Sequence, residues 1–430
     1  MSRQDVRAAR VVLTQSHALY APPPCAAPDH CAAPAALLEL ARANDRASTA
    51  TAVRNSAILL DDPDAALAAR LNLIAGARYS IDVQTYLWSF DDVGNLMLDA
   101  LLRAAQRGVT VRILADQLFS FPDVGTLAAL ARSSPHLHIR LYNPTFDEAH
   151  TQPLQWAAGI VCCYFRCNQR MHDKLLLVDG RVGIVGGRNY ENRYFGWDPS
   201  LDYLDRDVLL AGPVARSMRR SFDVFWHNPR ALPLPRLRDV NQSLRATGAE
   251  GPAWTPQPSA EMSAQALGAA MPQAGAVASI APERAPVLSV FDYPAPLLTS
   301  GPRISLHAKS YVIDGRIAVI GSHNFDPRSD HYNTENGVVI DDTAFAQALR
   351  ASILRATRPD NAWVVARRDN PPLLGPISRV LGDISAALPI FDFCRSATLP
   401  TGRKNPIARR CCPATGVSAS ATNRSAISPM

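Results

Sequence analysis

The sequence has no continuous apolar stretch of the about 18 to 20 residues that a membrane-spanning helix needs. Its start, MSRQDVRAARVVLTQSHALYAPPP, lacks the apolar run of a secretory signal. These absences lead to the expectation of a cytoplasmic protein that meets any membrane from its surface. Cysteine occurs eight times (Cys25, Cys31, Cys162, Cys163, Cys167, Cys394, Cys411 and Cys412) but never in the C-x2-C pairs of a zinc site. Adjacent cysteines also make a poor disulfide framework, so mostly free thiols in a reducing compartment are expected. Charge is sparse, at 19% of residues, with a net +6 and an isoelectric point near 9.0. That balance suits an acidic partner, lipid headgroups or nucleic acid, and equally suits a plain solvated surface. There is no Lys/Arg groove with interleaved aromatics of the kind that tracks a nucleic-acid strand, which disfavours nucleic acid.

What the chain does have is a repeat. Residues 170–189, RMHDKLLLVDGRVGIVGGRN, place His172, Lys174 and Asp179 as H-x-K-x4-D, followed by Gly186, Gly187 and Asn189. Residues 306–324, LHAKSYVIDGRIAVIGSHN, repeat the pattern with His307, Lys309 and Asp314, then Gly321, Ser322 and Asn324. Every internal spacing agrees, which chance does not produce.

With 430 residues and 47% hydrophobic content, core burial is not limiting. Residues 1–55 are rich in Ala and Pro and read as an N-terminal arm with one helix around 33–43. Asp64 is a plausible cap for a helix over 65–77. Alternation predicts strands over 79–88, 109–116 and 136–143, and amphipathic patterns predict helices over 94–107 and 123–132. Strand and helix alternate with short loops, so the fold class is α/β with right-handed crossovers. The first motif reads as a hairpin, with His172, Lys174 and Leu176 on one strand face. A strand over 206–212 and a helix over 213–228 close a first lobe spanning 56–228.

Residues 229–300 lose the periodicity and read as a linker or a degraded start of a second lobe. The second half, 301–370, carries strands over 305–313, 316–320, 335–341 and 362–367, with a helix over 343–357. The second lobe is therefore expected to be truncated. An apolar, Pro-interrupted segment, 371–394, reads as a packing helix or an interfacial stretch. The basic tail, 395–430, reads as disordered.

Two His, two Lys and two Asn suit phosphodiester chemistry. Lys174, Lys309, Asn189 and Asn324 offer charge and amide donors to phosphate oxygens. One neutral imidazole can attack phosphorus, forming a phosphohistidine, while the other, protonated, gives its proton to the leaving alkoxide. Lys and protonated His supply the positive charge, and the motif lacks the carboxylate cluster of a two-metal site. No metal and no cofactor are expected. Asp179 and Asp314 lie off the His-Lys face by parity and are expected to anchor the Asp-Gly turns.

The repeat resembles the phospholipase D superfamily, whose signature is H-x-K-x4-D followed by G-G/S-x-N. The likeness also runs through IDVQTYLWSFDDVGNLMLDALLRAAQRGVTVRILAD and HNFDPRSDHYNTENGVVIDD. Within the superfamily the chain is most similar to bacterial cardiolipin synthases of the C type. The resemblance implies a pseudo-twofold pair of lobes, a mixed and mainly parallel sheet flanked by helices, and a site at the junction. It implies His172 as nucleophile and His307 as acid, two near-equivalent residues. It implies that Glu335, and Asp205 or Asp207, orient the opposing histidine, with Ser322 in support. It also implies phospholipid substrates (phosphatidylglycerol, phosphatidylethanolamine or cardiolipin) met peripherally at the inner membrane. A metal-independent nuclease-type phosphodiesterase and a catalytically weakened member are the alternatives.

Overall fold

A computed structural model of the chain describes residues 1–121, 123–255, 291–292, 303–358 and 363–364. The apolar segment 371–394 and the basic tail 395–430 lie outside the described residues, as does most of 229–300.

The chain opens with two helices, α1 (Arg3–Tyr20) and α2 (Ala36–Ala47). Ser2 and Asp5 form a capping box at the start of α1. The reading of 1–55 as an arm with one helix is therefore corrected. Ser16 donates to the Ala249 carbonyl at 2.8 Å, a His17 ring nitrogen lies 2.9 Å from the Ala131 carbonyl, and Asp5 pairs with Arg245 at 3.2 Å. The buried positions of α1 are Ala9 and Ser16. Small residues give little hydrophobic contrast, so the packing face leaves a weak period in the sequence.

The first half then follows as β1 (Ser56–Leu60), α3 (Pro63–Gly76), β2 (Ser80–Trp88), α4 (Asp92–Gln106), β3 (Thr110–Ser120), α5 (Val124–Ser133) and β4 (Leu137–Tyr142). Asp62, not Asp64, caps α3, accepting from the Ala65 amide at 2.8 Å with Pro63 in the first turn. After α6 (Pro153–Cys167) come β5 (Arg170–Met171), β6 (Leu175–Val178), β7 (Val182–Gly186), β8 (Leu201–Leu204), β9 (Asp207–Ala211) and α7 (Ala215–Trp226). β10 (Ala231–Pro233) and α8 (Arg238–Thr247) stand where a linker was expected to begin. Val240 and Leu244, one turn apart, bury the inner face of α8.

Eight strands form one mixed sheet in the order β1-β9-β7-β6-β2-β3-β4-β10. β2, β3 and β4 pair in parallel through the α4 and α5 crossovers, while the other pairs are antiparallel. Five of the eight strands thus run the same way. Alternation along β6 divides its side chains between two cores. Leu176 and Val178 join the cluster under α3, α4 and α5. Leu175 and Leu177 join the cluster under α7.

The second half comprises β11 (Phe291–Asp292), β12 (Arg303–Leu306), β13 (Lys309–Ile313), β14 (Ile317–Gly321), α9 (Pro327–His331), β15 (Asn333–Thr334), β16 (Gly337–Asp341), α10 (Thr343–Ala356) and β17 (Trp363–Val364). β13, β14 and β16 form a three-stranded antiparallel sheet. Its Ala318 and Ile320, with Phe345, Ala346 and Leu349 of α10, enter the same core as Leu175 and Phe222. The two halves therefore share one apolar core.

The cysteines depart from expectation. Cys25 pairs with Cys31 and Cys163 with Cys167, at Cα separations of 6.0 and 5.8 Å. Cys162 is the free cysteine among the described residues. Cys163 and Cys167 are spaced i, i+4 in α6, at a kink where the backbone of Cys163 leaves helical geometry.

Candidate active site

Each motif histidine stands where the chain changes pairing partner. β5 pairs in parallel with β15 of the second half, and β12 pairs in parallel with β8 of the first. The last ladder bonds run from the His172 amide to the Thr334 carbonyl at 3.0 Å and from the His307 amide to the Leu204 carbonyl at 2.9 Å. Beyond these points β6 and β13 pair within their own halves. The continuous strand expected through 172–178 is thus broken at 172–174, and the one through 305–313 is broken at 307–308. A residue whose backbone leaves one sheet for another cannot keep regular alternation on either.

The same crossing brings each histidine to a carboxylate of the other half. His172 Nδ1 lies 2.7 Å from Glu335 Oε2, and His307 Nδ1 lies 2.6 Å from Asp205 Oδ2. With Nδ1–H donating to the carboxylate, Nε2 carries the free lone pair. Asp207, the other residue offered for this place, instead receives Arg70 at 2.8 Å and Arg188 at 3.1 Å. Asp205 lies in the link between β8 and β9, outside either strand, and faces the junction, whereas Asp207 opens β9 and sits in the ladder beside Gly186.

The two dyads are built differently. Glu335 accepts from Ser322 Oγ at 2.5 Å, Ser329 Oγ at 2.8 Å and Asn333 Nδ2 at 3.3 Å. Asp205 accepts from the Arg206 amide at 2.7 Å. A Cβ at Gly187 would stand 2.3 Å from Asp205 Oδ1. The shorter aspartate brings its carboxylate close to the backbone, so this motif position is glycine. The longer glutamate leaves room for Ser322 at the matching position, where it becomes a donor.

Lys174 Nζ donates to the His172 carbonyl at 2.6 Å, and Lys309 Nζ donates to the His307 carbonyl. The Lys174 ammonium also lies 5.4 Å from the Tyr86 ring centre, and Tyr86 meets the His172 ring edge-on at 4.9 Å. Tyr194 meets His307 edge-on at 5.2 Å. Asn336 holds the main chain of Lys174 from both sides: its Oδ1 accepts from the Lys174 amide at 3.3 Å and its Nδ2 donates to the Lys174 carbonyl at 3.0 Å. Thr334 Oγ1 donates to buried Asp173 at 2.5 Å.

Burial dominates the titration of the site. It pushes His172 down to about 3, helped by the Lys174 charge and opposed by Glu335. It lowers His307 as well, against the pull of Asp205. It lowers Lys174 to about 7 and Lys309 to about 8. Burial is the largest single influence on Glu335 and Asp205 and opposes their ionisation, but the histidine hydrogen bonds together with the neighbouring positive charges outweigh it and hold both carboxyls below their ordinary range. The result is a neutral imidazole at His172 beside two oriented carboxylates and two cations of unusually low pKa. Lys309 acts on His172 and Lys174 on His307, so the two motifs face one another.

The asparagines differ. Asn189 is buried, with Oδ1 accepting from the Leu87 amide at 3.2 Å and Nδ2 donating to Tyr194 Oη at 2.8 Å. Asn324 is half-buried, and its main-chain N–H donates to Ser329 Oγ at 3.2 Å. Asp179 accepts from the amides of Arg78, Tyr79 and Ser80, and both Asp179 and Asp314 adopt the left-handed conformation ahead of Gly180 and Gly315. Tyr86, Tyr194, Ser329, Thr334 and Asn336 were not singled out from sequence. The cluster Asn333-Thr334-Glu335-Asn336 was the available signal. Among the described residues, no three His, Cys, Asp or Glu side chains are grouped to hold a metal ion.

The family model described as "Cardiolipin synthase, PLD-like domain" matches residues 71–226 and 270–356. Cardiolipin synthase C of Escherichia coli (strain K12) is 38% identical over 188 residues, which cover 44% of this chain and 38% of that protein. Cardiolipin synthase A of Pseudomonas aeruginosa (strain PAO1) is 27% identical over 344 residues, 71% of this chain and 67% of that protein. The matched stretch is thus well under two thirds of the first relative's length. Among solved structures, the phosphatidylserine synthase of Haemophilus influenzae Rd KW20 covers 81% of this chain and 98% of its own, with 14% identity and a TM-score of 0.48. With more than half of its residues inside the family model, the chain belongs to the phospholipase D superfamily, in the cardiolipin synthase, PLD-like domain family.

Proposed function

We propose that the chain is a phosphatidyltransferase that transfers a phosphatidyl group between phospholipid headgroup alcohols through a phosphohistidine, as a cardiolipin synthase does. The observation that carries this reading is the pair of cross-half dyads, His172 with Glu335 and His307 with Asp205. In the first step His172 Nε2 attacks the phosphorus of phosphatidylglycerol and the P–O bond to glycerol breaks. His307, protonated, gives its Nε2 proton to the departing alkoxide. In the second step His307 takes the proton of an incoming phosphatidylglycerol hydroxyl, whose oxygen attacks the phosphohistidine. The P–N bond breaks, cardiolipin forms and both histidines return to their starting states. Lys174 and Lys309 neutralise the non-bridging oxygens, and Glu335 and Asp205 fix the tautomers. The substrate's negative charge raises the pKa of His307 and of both lysines, favouring the protonated forms that this step uses.

The substrate is a phospholipid met peripherally at the cytoplasmic face of the inner membrane. No helix among the described residues is long and apolar enough to cross a bilayer. The test is lipid mass spectrometry on vesicles containing phosphatidylglycerol, in the presence of EDTA. Cardiolipin and free glycerol are expected from the wild type, with losses of at least about 1,000-fold for His172→Ala and His307→Ala, in line with removal of a nucleophile or general acid. Wild-type protein that yields neither cardiolipin nor phosphatidic acid overturns the reading.

A further inference from the structure

Helix α6 presents an apolar stripe to the outside. Leu154, Ala157, Ala158 and Val161 recur at i, i+3, i+4 and i+7, the spacing of one helix face, and all four are exposed. Leu154 and Val161 are 86% and 88% exposed, among the most exposed large apolar side chains described. The inner side packs instead on the turn at 145–147, where a Cβ at Gly159 would sit 3.4 Å from the Thr145 methyl. The stripe is therefore not a core face that lacks depth. It is a second apolar face, with no partner among the described residues.

Three further facts bear on what covers it. The helix contains no acidic residue, and its basic residue, Arg166, is exposed. Arg166 lines a cavity of about 750 Å³ together with Arg238 and Arg245 of α8, and Asp5 and Asp147 only partly offset these three cations. The helix also leads directly into the candidate site: two residues separate Cys167 from β5, and His172 follows β5. Asn168 at its end accepts from Arg328 of α9 at 2.9 Å, tying it to the second motif's side as well.

We infer that α6 is the element that seats this face of the protein on an anionic bilayer, with its apolar stripe below the headgroups and its arginine-lined end facing their phosphates. The inference rests on the phospholipid reading of the site and names the surface through which that substrate is met. A second protein copy is a poorer occupant. A stable protein interface takes about 800 Å² and roughly 20 to 30 residues from each partner, which four side chains on one helix do not supply. A bilayer imposes no such minimum, and basic residues beside an apolar stripe add attraction to anionic lipid.

The experiment uses the full chain and two readouts. The first is co-flotation with vesicles of phosphatidylcholine alone or with one third phosphatidylglycerol. The second is turnover of dihexanoylphosphatidylglycerol below its micellar concentration, which requires no membrane. The wild type is expected to float with the anionic vesicles and much less with the neutral ones. Leu154→Glu/Val161→Glu is expected to weaken flotation at least tenfold while leaving turnover of the soluble lipid within twofold. Arg166→Glu is expected to reduce the preference for phosphatidylglycerol. The milder Leu154→Ser/Val161→Ser variant, with its melting temperature measured, guards against a folding defect and is expected to show the same order. Unchanged flotation of the double variants overturns the inference. So does a wild-type dimer, seen by light scattering, that the double variant converts to monomer without loss of flotation. Loss of flotation in a protein that never turns over the soluble lipid leaves the docking surface standing and overturns the proposed reaction instead.

Discussion

At the scale of single residues, the site is governed by what touches the histidines and lysines. Asn336, from the second half, holds both main-chain groups of Lys174 in the first. Replacing it by Ala removes two partly buried hydrogen bonds, each worth about 1 kcal/mol. If they act in the transition state, kcat/KM should fall by roughly 10- to 100-fold, with Asn336→Ser intermediate. A change below twofold would show that Lys174 holds its place without the clamp. At Gly187 even a small side chain displaces Asp205, whose Oδ1 would be 2.3 Å from the new Cβ. Gly187→Ser should therefore abolish turnover while circular dichroism stays native, whereas Ser322→Gly should retain a fraction of activity, since it removes a donor without a clash.

The lowered lysine pKa values also predict opposite trends with pH. Lys174 and Lys309 lose their protons near pH 7 and 8 in the folded chain. Unfolded lysines keep theirs to about pH 10.4. Between those limits the unfolded chain binds more protons, so stability rises with pH. Affinity for an anion moves the other way and should weaken as pH rises through 7 to 8. Isothermal titration with inorganic phosphate, beside chemical denaturation at the same pH values, checks both signs. Parallel rather than opposite trends would remove the lysines as the cause.

At the scale of elements, α10 joins the small second sheet to the large first one. Leu349 on its inner face enters the core shared by both halves. Ser352, further along, receives Arg206 Nε at 2.8 Å through its hydroxyl and Arg206 Nη2 at 3.2 Å through its carbonyl. Arg206 is adjacent to Asp205, so α10 supports the His307 dyad from behind. Leu349→Ala should cost about 2 to 5 kcal/mol of stability, as large-to-small core substitutions do. It should also reduce turnover below the melting transition, because it loosens the seat of Arg206. Stability loss with full activity in the cold would separate the core from the site. At this scale the sequence was legible where periodicity was strong. The strands and helices from 79 to 143 match their expected spans within a few residues. It was illegible where the packing residues were small, as in α1, or where polarity was inverted, as in α6, whose exposed stripe does not announce a partner.

At the scale of the whole molecule, neither half holds a finished site. His172 needs Glu335, and His307 needs Asp205, each from the opposite half. A chain ending at residue 255 keeps the eight-stranded sheet and its first core cluster but loses Glu335, Asn336 and His307. It is expected to be inactive in phosphatidyl transfer, at the detection limit of lipid mass spectrometry, even where it is folded. Recovery of activity on mixing it with a separately made 256–430 chain would show that the junction assembles from parts. The small second sheet meets the first half through β12 with β8, β15 with β5, and the α10 core. Those contacts are enough to bring His307 against Asp205 although only three strands form that sheet.

The repeat by itself singled out the residues proposed to carry the chemistry. Two matched copies of His, Lys and Asn have few physical uses other than holding and attacking a phosphate group, and their spacing is local. It also pointed to the turn role of Asp179 and Asp314, because an Asp-Gly pair between two strands is a local hairpin signal that does not depend on the breaks at the histidines. The tertiary structure alone decided which carboxylate serves which histidine. Asp205 and Asp207 are two residues apart and equally acidic, and only their pairing separates them: one faces His307 at the junction and the other is held by Arg70 and Arg188. It alone decided that both histidines lie at breaks in their strands, since the break arises where the chain passes from pairing with the other half to pairing with its own. A change of partner between residues more than 100 positions apart leaves no periodic trace in the sequence on either side.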